Sequence, residues 1–238
     1  MRYTAESMYL SRTTLLFSLL FCLIRLAAMA QSSQKSKPAA RYKYLLYVPK
    51  TYTSRNAYPL IIYLHGGSQR GTDLNKLKEY GPPHALEQGL TVDAIVASPQ
   101  CPDGKFWSTD NWFDSLYTEL TTQYRIDPKR VYLTGVSMGG YGTWQTAVAY
   151  PNTFAAIAPL CGGCDDSTQV CQIRHVPVWA FHGTADDLVP FDETARLVRR
   201  LKACAGNVRF AELAGKGHDI LYLYDNKKLY NWLLKQHK

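Results

Sequence analysis

The sequence contains no apolar run long enough to span a membrane, no long tract of like charges and few cysteines for its length. The apolar segment at residues 15–24 has about half of the roughly twenty residues that a membrane helix needs. Six cysteines in 238 residues exclude a small disulfide-held scaffold, and 16 glycines with 12 prolines exclude a fibrous protein. Since 46% of the residues are hydrophobic, a disordered chain is excluded too, and a globular fold is expected.

The charge balance is basic, with 27 lysines and arginines against 19 acidic residues. An excess of this kind suggests an anionic partner, such as nucleic acid or a membrane surface. The basic residues are scattered, however, and the densest group, Arg199, Arg200 and Lys202, falls in a helical pattern. A solvated helix face explains that group, and no nucleic-acid partner is predicted.

The N-terminal segment has the pattern of a secretory signal peptide. Two arginines precede the apolar run at 15–24, and Ala28-Met29-Ala30 places small residues where a signal peptidase reads them. We therefore predict a signal peptide over 1–30, cleaved near Ala30–Gln31, and a secreted or periplasmic protein without a membrane anchor. Its removal takes away three arginines and one glutamate and leaves 208 residues with a net charge of +6. The polar residues 31–40 predict a flexible leader.

Residues 41–238 predict one domain in which β-rich apolar runs alternate with helical patterns. Continuous apolar strands are typical of a parallel sheet buried on both faces. This alternation predicts an α/β fold with a mostly parallel central sheet and helices on both faces. Strands are expected at 42–48, 60–64, 94–98, 131–134, 155–160, 176–181 and 208–213. Helices are expected at 73–89, 112–124, 138–149, 192–204 and 220–235. The alternation within 42–48 indicates an antiparallel strand at one edge.

A candidate nucleophile follows the predicted strand at 131–134. Gly135-Val136-Ser137-Met138-Gly139 is a Gly-x-Ser-x-Gly segment between a strand and a helix. A sharp turn there exposes the serine hydroxyl, and glycines on either side avoid a clash across the turn. Ser137 is the predicted nucleophile, and the N–H of Met138 at the start of the helix is a predicted oxyanion donor.

A serine nucleophile needs a base and a carboxylate that orients it. His218 lies between the last predicted strand and the last helix, at the carboxyl edge of the sheet where sites of open α/β sheets form. His65 and His182 also follow strands, but a glycine follows each, and they are interpreted as loop histidines with local bonds. Asp186 and Asp187 both follow the preceding strand, and the residues alone do not separate them.

A second oxyanion donor is expected after the strand at 60–64. Leu64-His65-Gly66-Gly67-Ser68 follows that strand directly, and its glycines let the backbone approach a ligand closely. Gly67 is the predicted donor, with Ser68 as the alternative. The alternative interpretation is a simple glycine turn without a catalytic role.

Four segments together resemble a single-domain α/β-hydrolase. They are LHGG at 64–67, GVSMGGYGTW at 135–144, HGTADDLVP at 182–190 and GKGHD at 215–219. The chain is similar to carbohydrate esterase family 1 enzymes (feruloyl and acetyl-xylan esterases), to polyhydroxybutyrate depolymerase-like esterases and to the dienelactone hydrolase-like group. The resemblance spans nearly all of 41–238 and implies that Asp186, rather than Asp187, completes the triad.

The same resemblance implies a substrate pocket and no cofactor or metal. The segment ASPQCPDGKFW at 97–107 resembles a pocket-lining loop, which makes Trp107 a candidate wall beside Ser68. Packing beneath the loop is an equal alternative for Trp107. Only fifteen residues, 161–175, separate two predicted strands where many lipases insert a helical cap. An open site without a cap domain is therefore expected.

The predicted function is a secreted serine carboxylesterase that acts through a Ser-His-Asp acyl-enzyme mechanism. Its expected substrates are small or polymer-attached esters, including feruloyl or acetyl esters of plant polysaccharides. The alternatives are a serine peptidase of the prolyl oligopeptidase-like group, a polyester depolymerase and a silent binding module on the same fold.

Five cysteines remain after residue 30. Export favours disulfides, and Cys164 with Cys171, which flank a short polar loop, is the preferred pair. The alternative is a zinc site made of Cys161, Cys164, Cys171 and His175. Cys204 ends a helical pattern and is expected to serve packing.

Overall fold

The computed structural model describes residues 35–37 and 41–238. The predicted signal peptide lies outside the described residues, as does the predicted leader apart from residues 35–37, which form a strand. Within the described part of the chain, every helix is too short or too polar to cross a membrane.

Eight strands form one sheet in the order β1-β2-β4-β3-β5-β6-β7-β8. Their bounds are β1 Lys35–Lys37, β2 Tyr44–Tyr47, β3 Tyr58–Leu64, β4 Ile95–Pro99, β5 Ile126–Val136, β6 Ala156–Leu160, β7 Val178–Gly183 and β8 Val208–Leu213. From β3 to β8 all neighbours pair in parallel, whereas β2 is antiparallel to β1 and β4. The antiparallel orientation expected for 42–48 is confirmed, but β1 lies outside β2, so β2 is not the edge strand.

The central strand β3 divides its side chains between two cores. Leu60, Ile62 and Leu64 pack in one hydrophobic cluster, while Ile61 and Tyr63 pack in the other, and all five are fully buried. Successive strand residues point to opposite faces, so an uninterrupted apolar run serves a sheet covered on both sides.

Helices cover both faces of the sheet, as expected. They are α1 Gly81–Glu87, α2 Trp112–Gln123, α3 Met138–Ala149, α4 Asp192–Ala203 and α5 Lys227–Leu234. Leu116 of α2, Trp144 of α3 and Leu197 of α4 pack in the cluster of Leu60, whereas α1 and α5 pack in the cluster of Ile61.

Two of the expected helices are broken. A 3-10 turn at Leu74–Lys78 precedes α1, and another at Leu221–Tyr224 precedes α5. Gly81 has φ +76° and two prolines follow it, so the chain restarts as a new helix there. Asn226 caps α5 by accepting a hydrogen bond from the N–H of Lys228.

The connection between β6 and β7 contains one 3-10 helix, Ser167–Ile173, and no helical cap among the described residues. It also corrects the cysteine predictions. Cys171 forms a disulfide with Cys204 at the end of α4, with a Cα–Cα distance of 6.0 Å, so the predicted Cys164–Cys171 pair is wrong. Cys164 is buried in the core as a free thiol. Cys204 packs against the same core, as expected, and is also a disulfide partner.

The alternative zinc site is contradicted as well. Cys171 is held in its disulfide, and Nε2 of His175 lies 3.0 Å from the carbonyl oxygen of Pro151. A thiol that is already in a disulfide offers no thiolate ligand.

Candidate active site

Ser137 occupies the turn between β5 and α3. Its backbone has φ 57° and ψ −121°, in the left-handed half of φ that non-glycine residues rarely adopt. Its N–H donates to the carbonyl oxygen of Leu160 at the end of β6, 2.9 Å away. Such a conformation costs about 1–3 kcal/mol and persists only where the surroundings impose it. The turn leaves Ser137 partly exposed at the carboxyl edge of the sheet.

The two glycines of the Gly-x-Ser-x-Gly segment are required by close backbone packing. A Cβ on Gly139 would lie 1.9 Å from the carbonyl oxygen of Leu64, and one on Gly135 would lie 2.4 Å from that of Gly139. The end of β3, the end of β5 and the start of α3 therefore meet with no room for a side chain. The spacing predicted from the sequence has a direct steric cause.

The loop after β3 lies against the nucleophile. A Cβ placed on Gly66 would be only 3.5 Å from Cβ of Ser137. Gly67, the predicted second donor, is partly exposed beside it, and Ser68 is exposed with its hydroxyl 2.7 Å from that of Tyr80. Met138 begins α3, so its N–H has no helical carbonyl to bond. The structure thus brings both predicted donor segments to Ser137.

His65 holds this loop in place. Its Nδ1 donates to the carbonyl oxygen of Gly66, 2.6 Å away, and its Nε2 accepts from the N–H of Cys101 at 2.9 Å. These partners define the neutral tautomer, because a carbonyl only accepts and an amide N–H only donates. Burial lowers the pKa of His65 to about 4. His65 is thus a loop histidine bonded locally through Nδ1, as expected, but its Nε2 bond reaches a residue 36 positions away.

Asp186 and His218 meet in the loops that follow β7 and β8. Nδ1 of His218 lies 2.8 Å from Oδ2 of Asp186, while Oδ1 accepts from the N–H groups of Leu188 and Val189 at 3.0 and 2.8 Å. The Asp186 side chain is fully buried, and that of His218 is 20% exposed. Burial by itself would raise the pKa of Asp186, but the hydrogen bonds from Val189 and His218 outweigh it and hold the pKa below its usual value. Asp187 is exposed.

Two further residues contact Asp186. The sequence suggested Cys161 only as a zinc ligand and His182 only as a loop histidine, whereas His182 is a residue of strand β7. Nε2 of His182 lies 3.2 Å from Oδ2 of Asp186. The thiol of Cys161 is within hydrogen-bonding reach of Asp186 and lies 3.7 Å from the carbonyl oxygen of His218. Cys161 directly follows β6, and His182 is the penultimate residue of β7. Their placement at the carboxyl edge of parallel strands was the available signal.

Cys161, His182 and Asp186 bring one potential ligand atom each to within 4.8 Å of one another. Those atoms are used in hydrogen bonds around Asp186, and burial strongly raises the pKa of the Cys161 thiol. A protonated thiol is a poor metal ligand. We therefore interpret this cluster as the support of the carboxylate.

A cavity of about 430 Å³ opens beside Met138. It is lined by Phe106, Trp107, Ser108, Met138, Tyr141, Gln145 and Asp165. Trp107 is 3% exposed, and its Nε1 donates to the carbonyl oxygen of His65 at 3.1 Å, so it both walls the cavity and packs beneath the loop. Phe106 is 55% exposed, with the Arg70 guanidinium 5.2 Å above its ring.

Comparison with known proteins agrees with this architecture. The phospholipase/carboxylesterase family model matches residues 107–224. A crystal structure of a thermostable esterase superposes with a TM-score of 0.73 at 32% identity, covering 87% of this chain and 63% of that one. This chain has the α/β-hydrolase fold. A feruloyl esterase module from Clostridium thermocellum, at 17% identity, shares the fold with a TM-score of 0.65.

Sequence relatives of this chain include several esterases. A bifunctional acetylxylan esterase/xylanase of Neocallimastix patriciarum is 33% identical over 150 residues, which cover 60% of this chain and 22% of that protein. A probable feruloyl esterase C of Aspergillus flavus is 27% identical over 173 residues, which cover 69% of this chain and 62% of that protein. The match therefore spans less than two thirds of either relative.

Proposed function

We propose that this α/β-hydrolase is a serine carboxylesterase. The observation that carries the proposal is the 2.8 Å hydrogen bond between His218 and Asp186 at the sheet edge that also holds the Ser137 turn. Nucleophile, orienting carboxylate and base (Ser137, Asp186 and His218) then follow the chain order of α/β-hydrolases. The named esterases among the relatives support the same reaction.

In the proposed reaction Ser137 attacks the ester carbonyl carbon. Nδ1 of His218 faces Asp186, so Nε2 is the nitrogen that takes the Ser137 proton and passes it to the alcohol leaving group. The buried Asp186 carboxylate stabilises the charged imidazole. The N–H groups of Met138 and Gly67 hold the oxyanion, each worth about 3–4 kcal/mol of barrier. Water then repeats the steps on the acyl-enzyme, and no metal or organic cofactor is required.

Feruloyl or acetyl esters of plant polysaccharides are the proposed substrates. The names of the relatives and the uncapped cavity beside Met138 support esters that protrude from a polymer. A polyester depolymerase is the second candidate, because a poly(3-hydroxyalkanoate) depolymerase C of Paucimonas lemoignei is 31% identical over 121 residues, which cover 44% of this chain and 28% of that protein. Export is proposed from the signal-peptide pattern, and the Cys171–Cys204 disulfide fits an oxidising compartment.

The decisive experiment measures hydrolysis of p-nitrophenyl acetate by Ser137→Ala. We expect a loss of at least about a thousandfold in kcat with an unchanged free energy of unfolding. Full activity of Ser137→Ala would refute the mechanism. Acetyl-xylan, feruloyl, polyester and peptide substrates, given to the unmodified protein, then rank the substrate classes.

The adjacent aspartates offer a matched pair. Asp186→Asn is expected to lower kcat by about 10³- to 10⁴-fold, because the amide supports the wrong His218 tautomer. Asp187→Asn is expected to stay within about twofold, since Asp187 is exposed. Equal losses in the two variants would contradict the assignment of Asp186.

A further inference from the structure

We propose that His182 is a positioning residue for this reaction, donating its Nε2–H to the Asp186 oxygen that His218 also uses. The inference rests on the proposed function, because it assigns a role relative to the Asp186–His218 pair. His182 is fully buried, so its ring nitrogens bond only to protein groups that the geometry identifies.

The surroundings of Nε2 fix the position of the proton. This nitrogen lies 3.0 Å from the carbonyl oxygen of Val189 and 3.2 Å from Oδ2 of Asp186. Both neighbours are acceptors, and a bare ring nitrogen facing two acceptors in a buried site would be repelled by both. Nε2 of His182 therefore carries a proton.

The other nitrogen is anchored to α4. Nδ1 of His182 lies 2.7 Å from Oγ1 of Thr194, which is fully buried and also lies 2.5 Å from the carbonyl oxygen of Gly162. Burial lowers the pKa of His182. Thr194 then holds Nδ1, and the ring is clamped between α4 and Asp186.

The charged and titratable groups around this ring are few. Asp186 is in direct contact, while His218 and Cys161 lie across that carboxylate, on the loops after β8 and β6. Glu212, the register partner of His182 on β8, is exposed. On the α4 side the ring meets the Phe191 side chain edge-on at 5.7 Å. Asp186 is thus the group through which His182 acts.

A donor on Oδ2 has two consequences for the reaction. It restrains rotation of the carboxylate, which keeps His218 in its working orientation. It also shares the oxygen that faces His218, so its loss changes the hydrogen bonding of the carboxylate that orients His218.

The test compares two substitutions that retain different parts of the imidazole. A glutamine amide reaches the position of Nε2, whereas the shorter asparagine amide reaches only that of Nδ1. For His182→Asn we expect kcat to fall about 10- to 100-fold, with KM within about twofold. His182→Gln should recover most of the rate, whereas His175→Asn, at an exposed histidine, should change neither kcat nor KM.

An unchanged kcat in a folded His182→Asn variant would overturn the proposal. Equal behaviour of the asparagine and glutamine variants would overturn it too, because only the glutamine amide reaches the position of Nε2. Thermal unfolding of each variant identifies a variant that has lost its fold.

A second measurement does not depend on activity. Long-range ¹H–¹⁵N correlation spectra of the histidine-labelled protein report which nitrogen of each ring is protonated. We expect His182, assigned by the absence of its signals in His182→Gln, to carry a proton on Nε2 at pH 7. A neutral Nδ1–H form would refute the inference even if esterase activity is present. An inactive protein with the Nε2–H form would instead count against the proposed function alone.

Discussion

Ser137 and the Asp186–His218 pair lie at one edge of the sheet, but they are held by different means. We call Leu64–Ser68 and Gly135–Gly139 the nucleophile half, and Cys161, His182, Asp186, Thr194 and His218 the acid–base half. In the first, backbone meets backbone, and a Cβ on Gly139 would lie 1.9 Å from a carbonyl oxygen. In the second, polar side chains contact one another in a row, from Thr194 through His182, whose Nε2 lies 3.2 Å from Asp186, to His218.

The difference teaches what each half tolerates. Close backbone packing in the nucleophile half leaves no room for an added atom. The neutral ring of His65 in this half is fixed by its two backbone partners. A polar network accepts changes of equal size but depends on where each proton lies. Substitutions that add side-chain volume should therefore damage the nucleophile half most. Substitutions that remove a hydrogen-bond donor or change a charge should damage the acid–base half most.

The largest expected effect comes from Gly139→Ala in the nucleophile half. Because the new methyl group overlaps backbone that cannot move alone, we expect a loss of more than about 4 kcal/mol in the free energy of unfolding, measured by urea denaturation. Gly67→Ala is the matched control, since its Cβ would meet nothing closer than an Arg70 side-chain nitrogen at 3.6 Å. Similar losses of unfolding free energy in Gly139→Ala and Gly67→Ala would contradict the steric account of the nucleophile half.

The disulfide gives the next largest effect and acts beside the acid–base half. Cys171–Cys204 ties the segment after β6 to the end of α4, the helix that carries Thr194. Replacing both cysteines by serine should lower the free energy of unfolding by about 3–4 kcal/mol, the loop-closure entropy for a separation of 33 residues. The unmodified protein under reductant should behave like the double variant.

The cysteine pairing itself is checked by alkylation in denaturant without reductant. Cys101, Cys161 and Cys164 should be modified, and Cys171 and Cys204 should be protected. Protection of Cys164 would contradict the observed pairing.

The smallest of these effects is a pH dependence carried by His65. Its pKa is about 4 in the folded chain and about 6.5 unfolded, so below pH 6.5 the unfolded chain binds the extra proton and stability falls as the pH drops toward 4. Between pH 7 and 4.5 this group should cost about 2–3 kcal/mol. His65→Gln should reduce the difference between the two pH values by that amount in chemical denaturation, and exposed His237→Gln should leave it unchanged.

Most of the fold was predictable because it depends on local patterns. Continuous apolar runs such as residues 60–64 predicted buried parallel strands, and helical periods predicted the covering helices. The breaks before α1 and α5 were missed, although Gly81 with two following prolines and the capping residue Asn226 are local signals. The candidate site was predictable where a motif has a steric cause, as at Gly135 and Gly139.

What the sequence determined by itself is the order of strands and helices and the candidates Ser137 and His218, since these follow from periodicity, turn chemistry and motif. The choice of Asp186 over Asp187 came from the family resemblance. Only the tertiary structure decided that Cys171 pairs with Cys204 and that Cys161 and His182 reach Asp186. The physical reason is distance along the chain: a disulfide needs Cα atoms about 6 Å apart, and a hydrogen bond needs contact. Such proximity between residues separated by tens of positions arises only when strands align in the sheet and the ends of β6, β7 and β8 converge.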